Sequence, residues 1–139
     1  MPCLPISHEN LAEVAKTYDS AKPIFMLNLW RYRDQAVYAP ESAHLSPEPC
    51  TGEEALNRYR TAIHTVLPPN ASVHFLARPL TSVIAPPGEK WDQIALIRYE
   101  NLQGFRDMVA SEKYKTEVEP HRLAGLEDMR LICGEGIEA

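Results

Sequence analysis

The stretch Trp91-Asp92-Gln93-Ile94-Ala95-Leu96-Ile97-Arg98-Tyr99-Glu100 decides the fold. Its side chains alternate with the period of two that a β-strand imposes, and Asn101 follows as the N-cap of a helix. Arg98 falls in the alternation phase of apolar residues, and His121 follows just beyond the next helical segment. A strand with one arginine on its apolar face, followed by a helix and a histidine, predicts a small barrel with polar groups inside.

Three more strands and a second covering helix complete the predicted domain. The predicted strands cover residues 24–32, 72–84, 91–99 and 127–133. The second of these contains Pro79, which confines it to a sheet edge or a bulge. The covering helices begin at the capping box of Thr51 and Glu54 and at Asn101. This β-α-β-β-α-β order predicts an α+β, ferredoxin-like sheet, to which a helix capped by Ser7 adds an N-terminal extension over residues 1–22.

Length and charge limit the class of protein. A chain of 139 residues is expected to fold as one domain over residues 1–139. The net charge of −5 and the scattered basic residues argue against binding to nucleic acid. No apolar run approaches the roughly 20 residues that cross a bilayer, and no secretory signal is recognised, so we expect a cytoplasmic protein without membrane contact.

The cysteines give no indication of a metal or a disulfide framework. Cys3, Cys50 and Cys133 are odd in number and far apart, without a Cys-x-x-Cys motif or paired histidines. A zinc site needs ligands at closer, regular spacing. The sequence therefore predicts neither a metal site nor a cofactor.

One face of the predicted sheet is too apolar to remain in water. The residues assigned to this second face are Met26, Trp30, Leu76, Ile94 and Leu96. Covering such a surface with a second copy of the chain predicts a homodimer whose two sheets face each other. The same alternation phase contains polar residues, namely Asn28, Tyr32, His74, Arg78 and Arg98, which predicts a ligand pocket in or beside that space.

Residues 33–50 form a long segment without helical or strand periodicity, punctuated by Pro40, Pro47 and Pro49. Loops of this length inside a compact domain are usually functional or disordered. We interpret the segment as a lid over the pocket, with a simple insertion as the alternative.

Three stretches resemble the family called domain of unknown function 1330, within the dimeric α/β-barrel superfamily. They are Phe25-Met26-Leu27-Asn28-Leu29, Trp91-Asp92 with the strand that ends at Arg98-Tyr99, and His121-Arg122-Leu123-Ala124-Gly125-Leu126. The resemblance covers about residues 23–134, the length of one domain. It implies a homodimeric barrel, in a superfamily that includes cofactor-free monooxygenases of phenols, polyketide cyclases, lactone isomerases and haem enzymes.

Three residues are candidates for catalysis. His121 can take and return a proton near neutral pH, although it can equally close a helix end. Arg98 can stabilise an enolate, phenolate or carboxylate, or pair with a carboxylate of a partner subunit. Tyr32 can donate or accept a proton.

Four residues are candidates for substrate binding. Asn28 can hydrogen-bond a carbonyl or hydroxyl group, and Trp30 offers a flat apolar surface or a place in the dimer core. His74 and Arg78 lie on the less certain strand and are secondary candidates.

These features predict a cofactor-independent enzyme that cyclises or isomerises an aromatic or polyketide-like small molecule in secondary metabolism. One alternative is a cofactor-free monooxygenase of a phenolic substrate, because a pocket that deprotonates a phenol can present its anion to dioxygen. A second alternative, of a different class, is a non-catalytic small-molecule-binding module.

Overall fold

One antiparallel sheet carries helices on one of its faces. The computed structural model describes residues 3–139. The strands are β1 (Ile24–Tyr32), β2 (Ser72–Ala77), β3 (Gln93–Tyr99) and β4 (Leu126–Gly134), in the spatial order β2-β3-β1-β4. The helices are α1 (His8–Ala15), α2 (Gly52–Ile63), α3 (Leu102–Ala110) and α4 (Glu119–Gly125), with a 3-10 helix at Pro40–Leu45 and a π-helical turn at Tyr114–Val118. The predicted ferredoxin-like α+β fold with an added N-terminal helix is confirmed.

The central strand β1 divides its side chains between two apolar faces. Ile24, Met26 and Trp30 are almost fully buried, at 1%, 2% and 5% exposure, in the core beneath the helices. Phe25, Leu27 and Leu29 alternate with them and are only partly buried. Since successive side chains of a strand point to opposite faces, these three lie on the face that the helices leave uncovered.

The uncovered face, which we call the open sheet face, carries an apolar row across all four strands. In the strand register Phe75 lies beside Leu96, Leu96 beside Leu27, and Leu27 beside Ile132. A second row contains Ile94 and Leu29. The prediction of an apolar second face is therefore correct, but some of the residues assigned to that face are wrong.

Three of the predicted members lie instead on the face that the helices cover. Met26 and Trp30 are part of the core, and Leu76 pairs with the buried Ala95. Ile94 and Leu96 do belong to the open sheet face. The error has a physical source, because a strand that is apolar on both faces has no polar face to show which side the helices cover.

The predicted caps position the helices. The Thr51 hydroxyl accepts a bond from the Glu54 N–H (3.1 Å), and the Glu54 carboxylate accepts one from the Thr51 N–H (3.3 Å), which completes the capping box at α2. At α3 the side-chain Oδ1 of Asn101 accepts a hydrogen bond from the Gly104 N–H at 2.8 Å. Both caps satisfy donors that the first helical turn leaves unpaired.

The N-terminal extension packs along the β4 side of the core. Ser7 caps α1, and Leu11 joins the core at 8% exposure. Ahead of α1, the Leu4 carbonyl accepts a bond of 2.8 Å from the Arg122 guanidinium. Residues 1 and 2 of the predicted extension lie outside the described residues.

The edge strand β2 is shorter than predicted. It ends at Ala77, before Arg78 and Pro79, and its pairing with β3 shifts between Val73 and Phe75. A proline has no N–H to donate to the ladder, which accounts for the early end.

Residues 33–50 pack against α4. The Arg33 N–H donates to the Gly125 carbonyl (2.8 Å), and the Val37 N–H donates to the Ala124 carbonyl (2.9 Å). The segment includes the 3-10 helix at Pro40–Leu45 and lies on the helical side of the molecule.

Candidate functional site

A cavity of about 320 Å³ lies between the covered face of the sheet and the helices. We call it the inner cavity. Its apolar wall includes Met26, Ala95, Ile97, Phe105, Met108 and Leu131. The half-exposed Val73 and Leu76 of β2 and the exposed His64 at the end of α2 also line it, so these residues mark its mouth. A mostly apolar cavity of this size matches sites that hold small molecules.

Polar groups gather at one end of the inner cavity, which we call the polar end. Arg60 of α2 donates to the Gln93 side-chain oxygen and, over 3.2 Å, to the Tyr32 hydroxyl. The Tyr32 hydroxyl also donates to the Gln93 oxygen at 3.3 Å. The Arg60 guanidinium carbon lies 5.8 Å from the centre of the Trp30 ring. Helix and sheet thus bring a cation, an amide, a phenol and an indole together.

Two donors at the polar end have no acceptor among residues 3–139. They are the Trp30 indole N–H and the Nε–H of Arg60, and both nitrogen atoms are buried. Trp30 and Arg60 both line the inner cavity. Since buried donors are nearly always hydrogen-bonded in native proteins, this pair marks the polar end as a place for an acceptor.

Burial raises the pKa of the Tyr32 hydroxyl above its usual value of 10.0. Arg60 acts in the opposite direction, because its positive charge and its hydrogen bond favour the phenolate, while Glu53 and Asp92 add to the rise. Desolvation is the largest of these effects. The phenol therefore keeps its proton at neutral pH and can act as a hydrogen-bond donor.

A buried tyrosine pair forms another part of the wall. The hydroxyls of Tyr59 and Tyr114 lie 2.9 Å apart, and burial holds the pKa of Tyr59 well above 10.0. Tyr114 belongs to the π-helical turn, a feature frequent at functional sites. Next to them Arg122 is only 2% exposed, and its guanidinium pairs with Glu119 at 2.9 Å.

Two of the four predicted binding residues line the inner cavity, namely Asn28 and Trp30. The Asn28 side-chain NH₂ donates a long bond to the Met26 carbonyl at 3.3 Å. These residues reach the cavity on the helix side of the sheet, whereas the sequence predicted a space between two sheets.

Arg78 lies in a separate, polar pocket of about 370 Å³, which we call the outer pocket. Tyr32, Glu53 and Asp92 also line the outer pocket. Arg60, Gln93 and Leu76 line both spaces and so form the boundary between them.

Arg98 and His74 lie on the open sheet face. Arg98 is in register with Phe25, and the His74 ring stands edge-on to the Phe25 ring with 5.5 Å between centres. The prediction that they share a face with Asn28 and Tyr32 is wrong, because Asn28 pairs with Ala95 on the covered face. The inner cavity includes neither of them.

His121 lies outside the inner cavity, between α4 and residues 33–50. It is 7% exposed, and its Nδ1 lies 2.6 Å from the Tyr38 hydroxyl. Burial lowers the pKa of His121 below 6.5, and the positive charge of Arg58 lowers it further. Residues 33–50 do not line the inner cavity either, and the lid stays a prediction.

Arg60, Gln93 and His64 were not singled out from the sequence. A signal for Arg60 is present, since it follows Leu56 by four residues and so falls on the apolar stripe of α2. Gln93 precedes Ala95 by two residues and so shares its face. Reading these signals requires knowing which face of each element is covered.

Within residues 3–139 no group of three or more His, Cys, Asp or Glu side chains could hold a metal ion. None of the helices in the same range is both long enough and apolar enough to span a bilayer.

Comparisons with known proteins identify structural relatives but no activity. No family model and no curated protein matches the chain, so the resemblance to domain of unknown function 1330 stays a prediction. A protein of unknown function from Rhodopseudomonas palustris shares 28% identity over 100% of both chains, with a TM-score of 0.84. Its methylated form gives a TM-score of 0.83 and 28% identity over 99% of this chain and 96% of that one.

A third structure, from Bacteroides fragilis, is described as a dimeric protein of unknown function with a ferredoxin-like fold. Its identity is 14% and its TM-score 0.47, over 82% of this chain and 96% of that chain. The chain is thus similar along its whole length to a protein whose function is itself unknown.

Proposed function

We propose that the protein binds a small, flat, mostly apolar molecule in the inner cavity and catalyses cofactor-independent proton transfer on it, as in a cyclisation or isomerisation. An aromatic or polyketide-like substrate would fit against the apolar wall of the inner cavity. The observation that carries the proposal is the combination of an apolar cavity with a polar end at Trp30, Arg60 and Gln93, where Tyr32 bonds Arg60 and Gln93 from the outer pocket. An apolar wall with a few convergent polar groups is the usual construction of a small-molecule site.

Tyr32 and Arg60 supply the acid side of this chemistry. The Tyr32 phenol is protonated and bonds Arg60 and Gln93, which separate the inner cavity from the outer pocket that Tyr32 lines, so it can donate to a substrate oxygen that enters between these two side chains. The Arg60 charge stabilises the enolate or phenolate that forms when a substrate loses a proton.

His64 is the candidate base at the mouth of the cavity. It takes the role that the sequence gave to His121, whose ring lies outside the cavity. Imidazole is the commonest general base in enzymes, and the exposed position of His64 allows exchange of the proton with water.

We also propose that the protein is a homodimer formed through the open sheet face. The rows containing Leu27, Leu96 and Leu29 support this, as does the half exposure of Phe75 and Ile132. Two such faces would bury on the order of 1,600 Å² in total, the size of a specific interface. Membership of the domain of unknown function 1330 family, which the quoted motifs support, implies the same arrangement.

The test is turnover of aromatic and polyketide-like candidate substrates, followed by mass spectrometry under air and under nitrogen. Turnover in both atmospheres is expected. Tyr32→Phe should lower the rate by about 10²-fold, as loss of a positioned acid does. Tyr18→Phe is the matched control, because its hydroxyl donates to the Pro23 carbonyl away from the cavity. Equal rates in both variants would remove Tyr32 from the mechanism.

A non-catalytic binding module is the second candidate, favoured by the position of His121 outside the cavity. Binding without turnover, abolished by the cavity-filling change Ala95→Leu, would select it. Turnover in air alone would select the oxygenase alternative.

A further inference from the structure

Among residues 3–139, Arg60 forms no ion pair. Within residues 3–139 the ion pairs are Lys16–Glu13, Arg122–Glu119 and Arg130–Asp128. The partners of Arg60 are neutral: the Asn57 side-chain oxygen at 3.0 Å, the Tyr32 hydroxyl and the Gln93 amide. A half-buried guanidinium held only by neutral groups retains its affinity for an anion.

Nearby carboxylates do not fill this role. Asp92 accepts the Tyr32 backbone N–H at 2.7 Å, and both Asp92 and Glu53 line the outer pocket rather than the inner cavity. The Trp30 ring contributes a cation–π contact to Arg60 but no hydrogen-bond acceptor in its plane. On the side of the inner cavity, Arg60 therefore lacks a counter-charge.

The unpartnered N–H groups of Trp30 and Arg60 place two donors at the same end of the cavity. A carboxylate has two oxygen atoms and can accept both bonds. A lone hydroxyl carries no negative charge and so cannot neutralise the guanidinium of Arg60. The remaining wall is apolar and includes Met26, Ile97 and Phe105, so it fits the uncharged body of the same molecule.

We propose that the ligand of the inner cavity is a small organic acid with a flat apolar body, whose carboxylate enters the polar end and accepts hydrogen bonds from Arg60 Nε and Trp30 Nε1 as the side chains that now bury these two atoms move aside. The inference rests on the proposed function and specifies the substrate class of the same site. The carboxylate anchors the molecule at the polar end, and its apolar body extends toward the mouth at Val73 and Leu76.

Calorimetric titration with naphthoate and naphthamide tests the charge directly, because the two differ little in shape. Naphthoate is expected to bind the wild-type protein at least about tenfold more tightly, a typical gain for a charge-assisted pair. Arg60→Gln should remove the preference, and Arg60→Lys should retain part of it. Arg58→Gln is the matched control, because Arg58 belongs to the same helix but bonds Ser46 outside the cavity. It should leave both affinities unchanged.

The indole N–H signal of Trp30 gives a second measurement on the unmutated site. Assigned by its persistence in Trp91→Phe, it should move downfield with naphthoate and much less with naphthamide. Equal affinities, or equal shifts, would overturn the carboxylate assignment and leave the cavity as a site for neutral molecules. If neither probe bound, the proposed small-molecule site would itself be wrong.

Discussion

The buried His121 helps to attach residues 33–50 to the helices. Its Nδ1 and the Tyr38 hydroxyl are 2.6 Å apart, and their rings meet edge to face. On the other side of Tyr38, Arg58 donates to Ser46 of the same segment at 2.7 Å. These contacts tie residues 33–50 to α4 and α2.

Acidification should weaken this attachment. The pKa of His121 is lowered in the folded state, so between that value and 6.5 the unfolded chain binds more protons. Stability is therefore full above about pH 6.5 and is lost as the pH falls through the lowered pKa. Thermal melts at about pH 7.5 and pH 5.5 should show a larger fall for the wild type than for His121→Gln.

At the higher pH, His121→Gln should cost about 0.5–1.5 kcal/mol, the contribution of one hydrogen bond. Affinity for a cavity ligand should be unchanged. A large loss of turnover without loss of stability would instead restore His121 as a catalytic residue.

For single residues, the sequence was a better guide to which side chains could bind a ligand than to the face of the sheet on which each side chain lies. Asn28 and Trp30 were predicted to bind a ligand and do line the cavity. Arg98 was grouped with them, yet it lies across the sheet. Alternation fixes which residues of one strand share a face, but relating two strands needs their register, which follows from pairing.

The close approach of α2 and α4 depends on two glycines. A Cβ on Gly125 would lie 2.6 Å from the Gly52 carbonyl oxygen and would also overlap the Leu56 side chain. Gly52 is equally confined, by the backbone of Arg33 and Gly125. Only residues without a side chain allow this helix contact.

Gly125→Ala should therefore destabilise the protein by about 1–3 kcal/mol or more, the usual cost of overpacking. Gly104→Ala in α3 is the control, because a Cβ there meets its nearest neighbours at 3.4 Å. It should be neutral or stabilising by up to about 1 kcal/mol, since alanine favours a helix. Chemical denaturation of both variants measures the difference. Equal stabilities of the two variants would mean that α2 and α4 can move apart without a loss in the free energy of unfolding.

Elements with strong local signals were predicted well. The capping box of Thr51 and the cap at Asn101 mark their helices to the residue. The predicted β2 extended beyond its observed end at Ala77, although Pro79 indicated that the strand could not continue there. The packing of residues 33–50 on α4 involves backbone bonds to Ala124 and Gly125 that no local pattern encodes.

For the whole molecule, the order of elements was sufficient to predict the topology, because a ferredoxin-like sheet follows from β-α-β-β-α-β with few alternatives. The cavity was harder to predict. It depends on how far the helices stand from the sheet, which is a property of the packed side chains.

The open sheet face yields the last prediction. Leu27 lies at its centre, between Leu96 and Ile132, and is only partly buried in the single chain. Leu27→Glu should therefore permit folding while placing a charge in the proposed interface. Dimer affinity should fall by about 10²-fold or more, equivalent to roughly 3 kcal/mol.

Val37→Glu introduces the same charge at a residue that is 62% exposed on the helical side, and it should remain dimeric. Sedimentation velocity at micromolar concentration distinguishes the two variants, with circular dichroism to verify that both are folded. A wild-type monomer would contradict the homodimer. A dimeric Leu27→Glu protein would move the interface elsewhere, and the apolar rows of the open sheet face would then need a different partner.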